Sequence, residues 1–475
     1  MPHSQKILRV GFTSEIRHLD PVTANDTESM FVLKQALETP FDVAPGKTDV
    51  EPVLFKGPLE KVSQDASAFR GTVREDIVFS DGQPLTAQGI ADALEGVPWM
   101  AQRATVEASG NQVLFRLKQP DSRFDIALSH GSCSIARRVG SQVLGTGPFQ
   151  IAPLHQPHEV RLFRNPHYRG AVALDEIIFR VYPADAQGRP TALLRAMEAG
   201  DVDFTTVVRR DDSAELRRVR KSFRPGGSTG ILFFNTQSDR LRDAPVRQAL
   251  AHALNRMDIT ETCYDNALAF SASSPLPRNL GSANDDLHFN PRKSEAILEE
   301  HQLKLPSRLR LLVIWGPRTY LPQPTAVASE IQRQLRTLGV QVDLVMTSSS
   351  SEFFQAVIDG DFDAVLAGWS ADTLDSCDFL ESILLSDRIP TWKNLSVSAN
   401  HSRYQNPAMD QALARYRAER QLGDLEEIIR LLSEDAPLVP LMYGSMATLM
   451  SYRIKDFQPC SLPVFSLANL DLVGG

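Results

Sequence analysis

Cysteine is scarce in this chain: 475 residues hold four, Cys133, Cys263, Cys377 and Cys460, far apart and with no CxxC pair. That spacing argues against a zinc site, which needs clustered ligands, and it leaves the pairing of the four open. No run approaches the roughly 18 apolar residues of a membrane-spanning helix. Met1–Lys6 leads straight into an apolar stretch, Ile7–Phe12, without the apolar core and small-residue cleavage site of a secretory signal. No early cysteine is present to carry a lipid. A mature form with a new start and a chain that stays in the cytoplasm both fit this beginning. Basic residues are not in excess either. Fifty Lys and Arg face 58 Asp and Glu, a net charge of −8, which argues against a nucleic-acid partner. The catalytic signatures GxSxG, HExxH and GxxxxGK[ST] are missing. Gly145-Thr146-Gly147-Pro148-Phe149 lacks the third glycine of a dinucleotide loop, and Pro148 removes an N–H that a phosphate would use, so it reads as a structural turn. No cofactor, no metal site and no enzyme activity are expected.

What is present is an ordinary globular balance, 42% hydrophobic and 23% charged, in a chain long enough for two or three domains. Leu309–Trp315 reads as a strand. Val327, Ile331, Leu335 and Leu338 follow at helical spacing, with Gly339 as a C-cap, and Val340–Met346 alternates as a half-buried strand. This β-α-β order predicts a parallel pair. A second helix is predicted after Asp243, with Pro245 in its first turn. Phe69–Arg74 and Gln112–Lys118 alternate like antiparallel strands, with Ser80-Asp81-Gly82 as a turn, so a smaller α+β domain is expected as an insertion into the first. No Gly/Ser linker separates the parts, which points to ordered hinges.

The most informative stretch is Asp361–Asp372. Phe362–Ala367 reads as a buried strand that runs into Gly368, Trp369 and Asp372. Ligands of open α/β sheets sit just outside the carboxyl ends of strands. There an indole and a carboxylate form a floor and an anchor for a small cationic ligand. The alternative is structural: Trp369 as core, and Asp372 as cap of a helix beginning near Asp375. Trp99, after Val97-Pro98, suits either a loop facing a cleft or a packing role. Trp315 reads as core or domain packing. His155-Gln156-Pro157-His158 reads as a polar hairpin turn rather than a metal pair, and Arg209–Arg224, with its interleaved acids, as a solvated helix face.

The order of several short segments resembles the peptide/nickel-type (family 5) extracellular solute-binding proteins that serve ABC importers. The segments are Leu19-Asp20-Pro21, REDIVFSDGQPLTA at Arg74–Ala87, LGTGPF at Leu144–Phe149, RNPHYRG at Arg164–Gly170 and AGDVD at Ala199–Asp203. Further along come Phe234-Asn235-Thr236 with Val246–Leu250, Tyr404–Pro407, and DAPLVPL at Asp435–Leu441. Each is weak alone; their shared order and spacing are specific.

The resemblance implies an α/β, two-lobed periplasmic-binding-protein-like fold with an inserted small α+β domain. Residues 1–43, 145–262 and 446–475 would form lobe one, 44–144 the insertion, and 263–445 lobe two. It implies capture without catalysis, in an interlobe cleft, of a small peptide or peptide-like amine-bearing solute. Delivery would be to an ABC permease, by a monomer that is periplasmic or at the cell surface. A nickel- or metal-chelate-binding protein, or a cytoplasmic ligand-sensing protein on this fold, are the alternatives. By the same resemblance Asp372 would pair with a ligand ammonium, and Trp99 and Trp369 would contact the ligand. Met30 and Phe31 would line the cleft, and Cys133 stands where nickel-type members carry a carboxylate-gripping arginine.

Overall fold

The structure, a computed structural model, describes residues 5–473 except 25, 154–155, 157, 186–188, 207–214, 265–268, 282–283, 396, 456 and 461. His155 and Pro157 of the polar turn, and residues 209–214 of the basic stretch, lie outside the described residues. Contacts divide the chain into two units: Met1–Phe223 with Asp372–Leu374 and Met446–Gly475, and Arg224–Ala371 with Asp375–Ser445.

In the first unit, β1 (Ile7–Phe12) turns Leu8, Val10 and Phe12 inward, each at most 2% exposed, in the period-two alternation of a strand. Helix α1 (Thr27–Ala36) starts at Asp26, whose side chain accepts the Ser29 N–H. Next come β2 (Glu60–Lys61), β3 (Ala68–Thr72), α2 (Ala87–Glu95), α3 (Pro98–Arg103), β4 (Ala104–Ser109) and β5 (Gln112–Leu117). The four strands form an antiparallel sheet in the order β2-β3-β5-β4. It closes with the two helices around Phe55, Phe69, Ile90, Phe115 and Phe124, a core cluster of its own. This is the expected α+β insertion.

The glycine-rich turn proves structural. Gly147 donates its N–H to the Ala36 carbonyl at 3.0 Å, and Asn165 Nδ2 donates to the Gly147 carbonyl at 2.8 Å. A Cβ on Gly147 would stand 2.7 Å from that Ala36 oxygen, so only glycine lets the turn lie on the end of α1. Arg169 closes the same corner with two 2.8 Å bonds to Glu38, which also accepts from Thr146. Two of the motif segments that set the resemblance, 144–149 and 164–170, thus meet at one joint. The sheet of this unit is completed by β6 (Phe149–Ile151), β7 (Glu159–Arg164), β8 (Glu176–Val181) and β9 (Phe204–Thr205), in the order β6-β7-β8-β1-β9, with β1 parallel to β8 and β9.

Strand β10 (Val219–Phe234) carries the chain into the second unit. Helix α4 (Ala244–Ala253) follows Asp243, which holds the cap position without a side-chain bond, and Pro245 sits in its first turn. Then come β11 (Arg308–Val313), α5 (Pro324–Arg336), β12 (Gln341–Met346), α6 (Ser350–Asp359), β13 (Ala364–Ser370), α7 (Ser376–Leu384), α8 (Pro407–Glu419) and β14 (Leu438–Ser451), which returns to the first unit. The predicted β-α-β unit is present: β11 and β12 pair in parallel, and Gly339, at φ +79°, ends the intervening helix with Val340 N–H on the Leu335 carbonyl.

The strand order here is β14-β10-β13-β11-β12, with β13 parallel to β11 and antiparallel to β10. Ile231, Phe233, Val313, Ile331, Val365 and Leu441 are among the buried side chains of its core. Residues 224–262, expected in lobe one, belong by contacts to this unit. The reason is that β10 ladders with β13, and α4 packs on the helices Pro291–Glu300 and Leu422–Asp435. Parallel pairing of β12, β11 and β13 sends all three carboxyl ends the same way, which is where an open α/β sheet receives ligands.

Candidate ligand-binding site

At the end of β13, Trp369 pairs across with Thr229 of β10 and is half-buried, resting partly on the core. Ser370 follows, and Asp372, two residues past the strand, is exposed. The helix cap belongs to Asp375 instead: its carboxylate accepts the N–H groups of Cys377 and Asp378 at 2.8 and 3.2 Å. The structural alternative for Asp372 therefore falls to its neighbour.

At the end of the adjacent β11 the chain forms a strap, Gly316–Leu321. Gly316 takes φ +69°, and Arg318 and Leu321 exchange backbone hydrogen bonds at 3.0 Å. The strap sets down a half-buried guanidinium. Arg318 donates to the Pro317 carbonyl and, from α6 beyond β12, to Ser350 Oγ, both at 3.1 Å. It also bonds to the Tyr320 phenol, so these partners among the described residues are all neutral oxygens. Thr319 Oγ1 lies 3.4 Å from Ser370 Oγ, so strap and strand end touch. Tyr320 is packed beneath, its phenol pushed up to about 12 by burial, so it stays neutral. Trp315, read from sequence as core or packing, is 43% exposed at the foot of the strap.

Just past Asp372, α7 is fastened by charge. Arg420 reaches Asp375 with bonds of 2.5 and 3.0 Å, and Arg417 grips Glu381 with bonds of 2.7 and 2.5 Å. Burial would raise the Asp375 carboxyl, but Arg420 and Arg417 outweigh it and hold the group well below the usual carboxylate range.

In the first unit the expected residues part company. Trp99 opens α3 and is stacked with His130, ring centroids 4.1 Å apart and 13° from parallel. The Arg103 guanidinium lies 3.3 Å from the same indole centroid. Two groups that close to one centroid would overlap on one face, so they cover opposite faces. Trp99 thus offers a ligand its edge, not a stacking face, and its Nε1 is buried without a hydrogen-bond partner among the described residues. His130 Nδ1 accepts the Ser132 N–H at 3.2 Å, which leaves the proton of the neutral ring on Nε2. Met30, half-buried on α1, has its methyl against Gly131, where a Cβ would collide with it.

Two expectations are corrected. Phe31 is 1% exposed, packed edge-on to Phe12 and Phe465, so it belongs to the core and lines nothing. Cys133 is fully buried; its thiol faces the Ala127 carbonyl at 3.7 Å and is pushed up to about 12 by burial, with Arg103 opposing weakly. A neutral, sequestered thiol cannot replace an arginine at a ligand carboxylate. None of the four cysteines forms a disulfide.

Sequence reasoning missed Arg318, Ser350, Arg103 and His130. For Arg318 a signal existed: Gly316-Pro317-Arg318 follows a predicted strand directly, as Trp369 and Asp372 do.

Residues 49–390 match the profile of bacterial extracellular solute-binding proteins, family 5. The peptide transport periplasmic protein SapA of Salmonella typhimurium is 27% identical over 373 residues, which span 72% of this chain and 64% of that protein. The chain thus covers less than two thirds of that relative's length. HbpA2 of Haemophilus parasuis superposes with a TM-score of 0.85 at 20% identity, over 98% of this chain and all of that one. A dipeptide-binding protein of Pseudoalteromonas sp. SM9913, solved with Met-Leu, does so with a TM-score of 0.76 at 19% identity, over 98% and 100%. These likenesses carry the two-lobed binding-protein fold.

Proposed function

The chain belongs to the family 5 bacterial extracellular solute-binding proteins, and on that footing we propose that it captures a short peptide or peptide-like solute bearing both an ammonium and a carboxylate. Delivery would be to an ABC permease on the outer side of the cytoplasmic membrane, with no chemistry done on the solute. Among the described residues no helix is long and apolar enough to cross a membrane, so a separate permease would supply the pore.

The observation that carries the reading is Arg318. A half-buried guanidinium held by a carbonyl, a serine hydroxyl and the neutral Tyr320 phenol has no carboxylate among these partners. It sits at the carboxyl end of the strand next to the one that ends at Trp369, Ser370 and Asp372. A planar fork of donors suits a carboxylate in particular. By the family resemblance Asp372 is the group for the ammonium, and Trp369 offers apolar contact. The Met-Leu bound by the Pseudoalteromonas protein has this bipolar form. Removing one member of such a charge pair costs about 2–5 kcal/mol when the partner is left desolvated.

Calorimetry with a dipeptide, its C-terminal amide and its N-acetyl form tests the assignment. Wild type should prefer the free dipeptide over both. Arg318→Gln should lose the preference over the amide, and Asp372→Asn the preference over the acetylated form. A protein indifferent to both modifications would reject the reading.

A further inference from the structure

Three glycines on three neighbouring strands lie directly under the strap that carries Arg318. Gly230 of β10 and Gly368 of β13 face each other in register, and Gly444 lies on β14, the other neighbour of β10. A Cβ on Gly230 would stand 2.5 Å from the Tyr320 carbonyl oxygen, and one on Gly368 would collide with the Thr229 carbonyl oxygen of β10 and stand 2.6 Å from the Tyr320 ring. One on Gly444 would collide with the Thr319 carbonyl oxygen. On the strap these added atoms would meet two backbone oxygens and the half-buried Tyr320 ring; on the sheet they would also meet the Thr229 carbonyl oxygen, Ser228 Oγ and Met442 Cγ.

The strap backbone comes down onto the sheet at these three positions, with Ser228 and Met442 beside them. If a Cβ were added, the strap would yield. β10 is laddered on both sides, whereas the strap is a loop, held by its own Arg318–Leu321 bonds, by side-chain contacts of Arg318 and Thr319, and at its far end by the buried Leu321. A lift of about 0.5 Å is already enough to spoil a positioned polar contact.

We propose that Gly230, Gly368 and Gly444 form a cradle that positions Arg318, and that this clearance sets the preference for a ligand with a free carboxylate. The inference rests on the assignment of Arg318 above. These glycines touch no ligand; they are positioning residues.

The test is the ratio of affinities for a free dipeptide and its C-terminal amide, measured by calorimetry on the full chain. Gly444→Ala should lower that ratio by about tenfold or more, the worth of one charge-assisted contact, while affinity for the amide changes little. Should Gly444→Ala not fold, Tyr320→Leu serves, because it removes the ring seated over Gly368 without crowding the sheet. A cooperative melting curve would establish that it folds, and its ratio should fall likewise. A folded variant of either kind that keeps the wild-type ratio, or loses acid and amide affinity equally, overturns the cradle. Arg318→Gln separates the two readings. If it keeps the wild-type ratio, the carboxylate assignment fails and takes the cradle with it. If it loses the ratio while Gly444→Ala keeps it, only the cradle fails.

Discussion

Replacing Asp375 by asparagine should destabilise the second unit by about 3–5 kcal/mol, the usual cost of leaving one buried charge without its partner. Asp375 is 3% exposed and does two jobs. Its Oδ1 caps α7 through the N–H groups of Cys377 and Asp378, and both oxygens receive Arg420. Asparagine caps about as well as aspartate, so Asp375→Asn isolates the charge. It leaves Arg420 at 14% and Arg417 at 9% side-chain exposure, with Glu381 and Asp378 as the carboxylates still near Arg417.

Asp375→Ala should cost about 1 kcal/mol more, for the cap. Asp375→Asn with Arg420→Gln should recover part of the loss, because the double change removes both charges of the pair. Asp372→Asn is the comparison: its carboxylate is exposed, so its loss should cost less than that of the buried Asp375. Urea unfolding followed by tryptophan fluorescence suits the question, since Trp315, Trp369 and Trp392 lie in the second unit and only Trp99 in the first.

The pH dependence adds a sign. A carboxyl held below its ordinary 3.8 contributes stability above that pH and loses it as pH falls through the folded-state value. Wild type should therefore weaken below about pH 4 by a component that Asp375→Asn lacks. An asparagine variant within about 1 kcal/mol of wild type would refute the argument, because the buried guanidinium groups would then have shed their partner at almost no cost.

Two further outcomes are expected. His401 is buried against Phe233 and Phe353, and burial lowers its pKa from 6.5 to about 4. The unfolded chain then binds a proton that the folded one refuses, so stability should fall as pH drops from about 6.5 to about 4, and His401→Leu should flatten that window in urea melts taken across it. Burial raises the thiols of Cys133 and Cys263 to about 12 and about 11. The native protein should therefore take up iodoacetamide at these positions far more slowly at pH 8 than after unfolding, and rapid native labelling seen by peptide mass spectrometry would contradict the burial.

Much of the fold was legible because local patterns and tertiary demands agree. The stretch 309–346 reads as strand, helix and strand from its periods alone, and each element forms where its apolar face meets the core. The insertion was legible from the change to alternating, antiparallel patterns. The unit boundary was not. β10 and β14 are single unbroken strands that serve both units, so no composition shift marks residues 223 or 445. Phe31 and Cys133 failed for a different reason. A position matched by motif carries no information on which way its side chain points, and both point into packed interior.

The site was half legible, and the missing half has one physical cause. The rule that ligands gather at strand ends could be applied to β13, whose end is visible in the sequence as Gly368-Trp369-Ser370. It could equally be applied to β11, but only once β11 is known to lie beside β13 in parallel, about fifty residues away along the chain. That adjacency makes Arg318 a neighbour of Trp369 and gives Gly230, Gly368 and Gly444 a shared purpose. Taken singly, each of these glycines reads as a weak point in a strand. Together they let the strap backbone approach three strands closely, and the strap lies against them. In the proposed site the position of Arg318 is therefore set by where side chains are absent as much as by where they are present. A reading that searches for chemistry-bearing residues will find Asp372 before it finds Arg318. The first stands at the end of a strand that announces itself. The second depends on a clearance that three separate strands must provide at once.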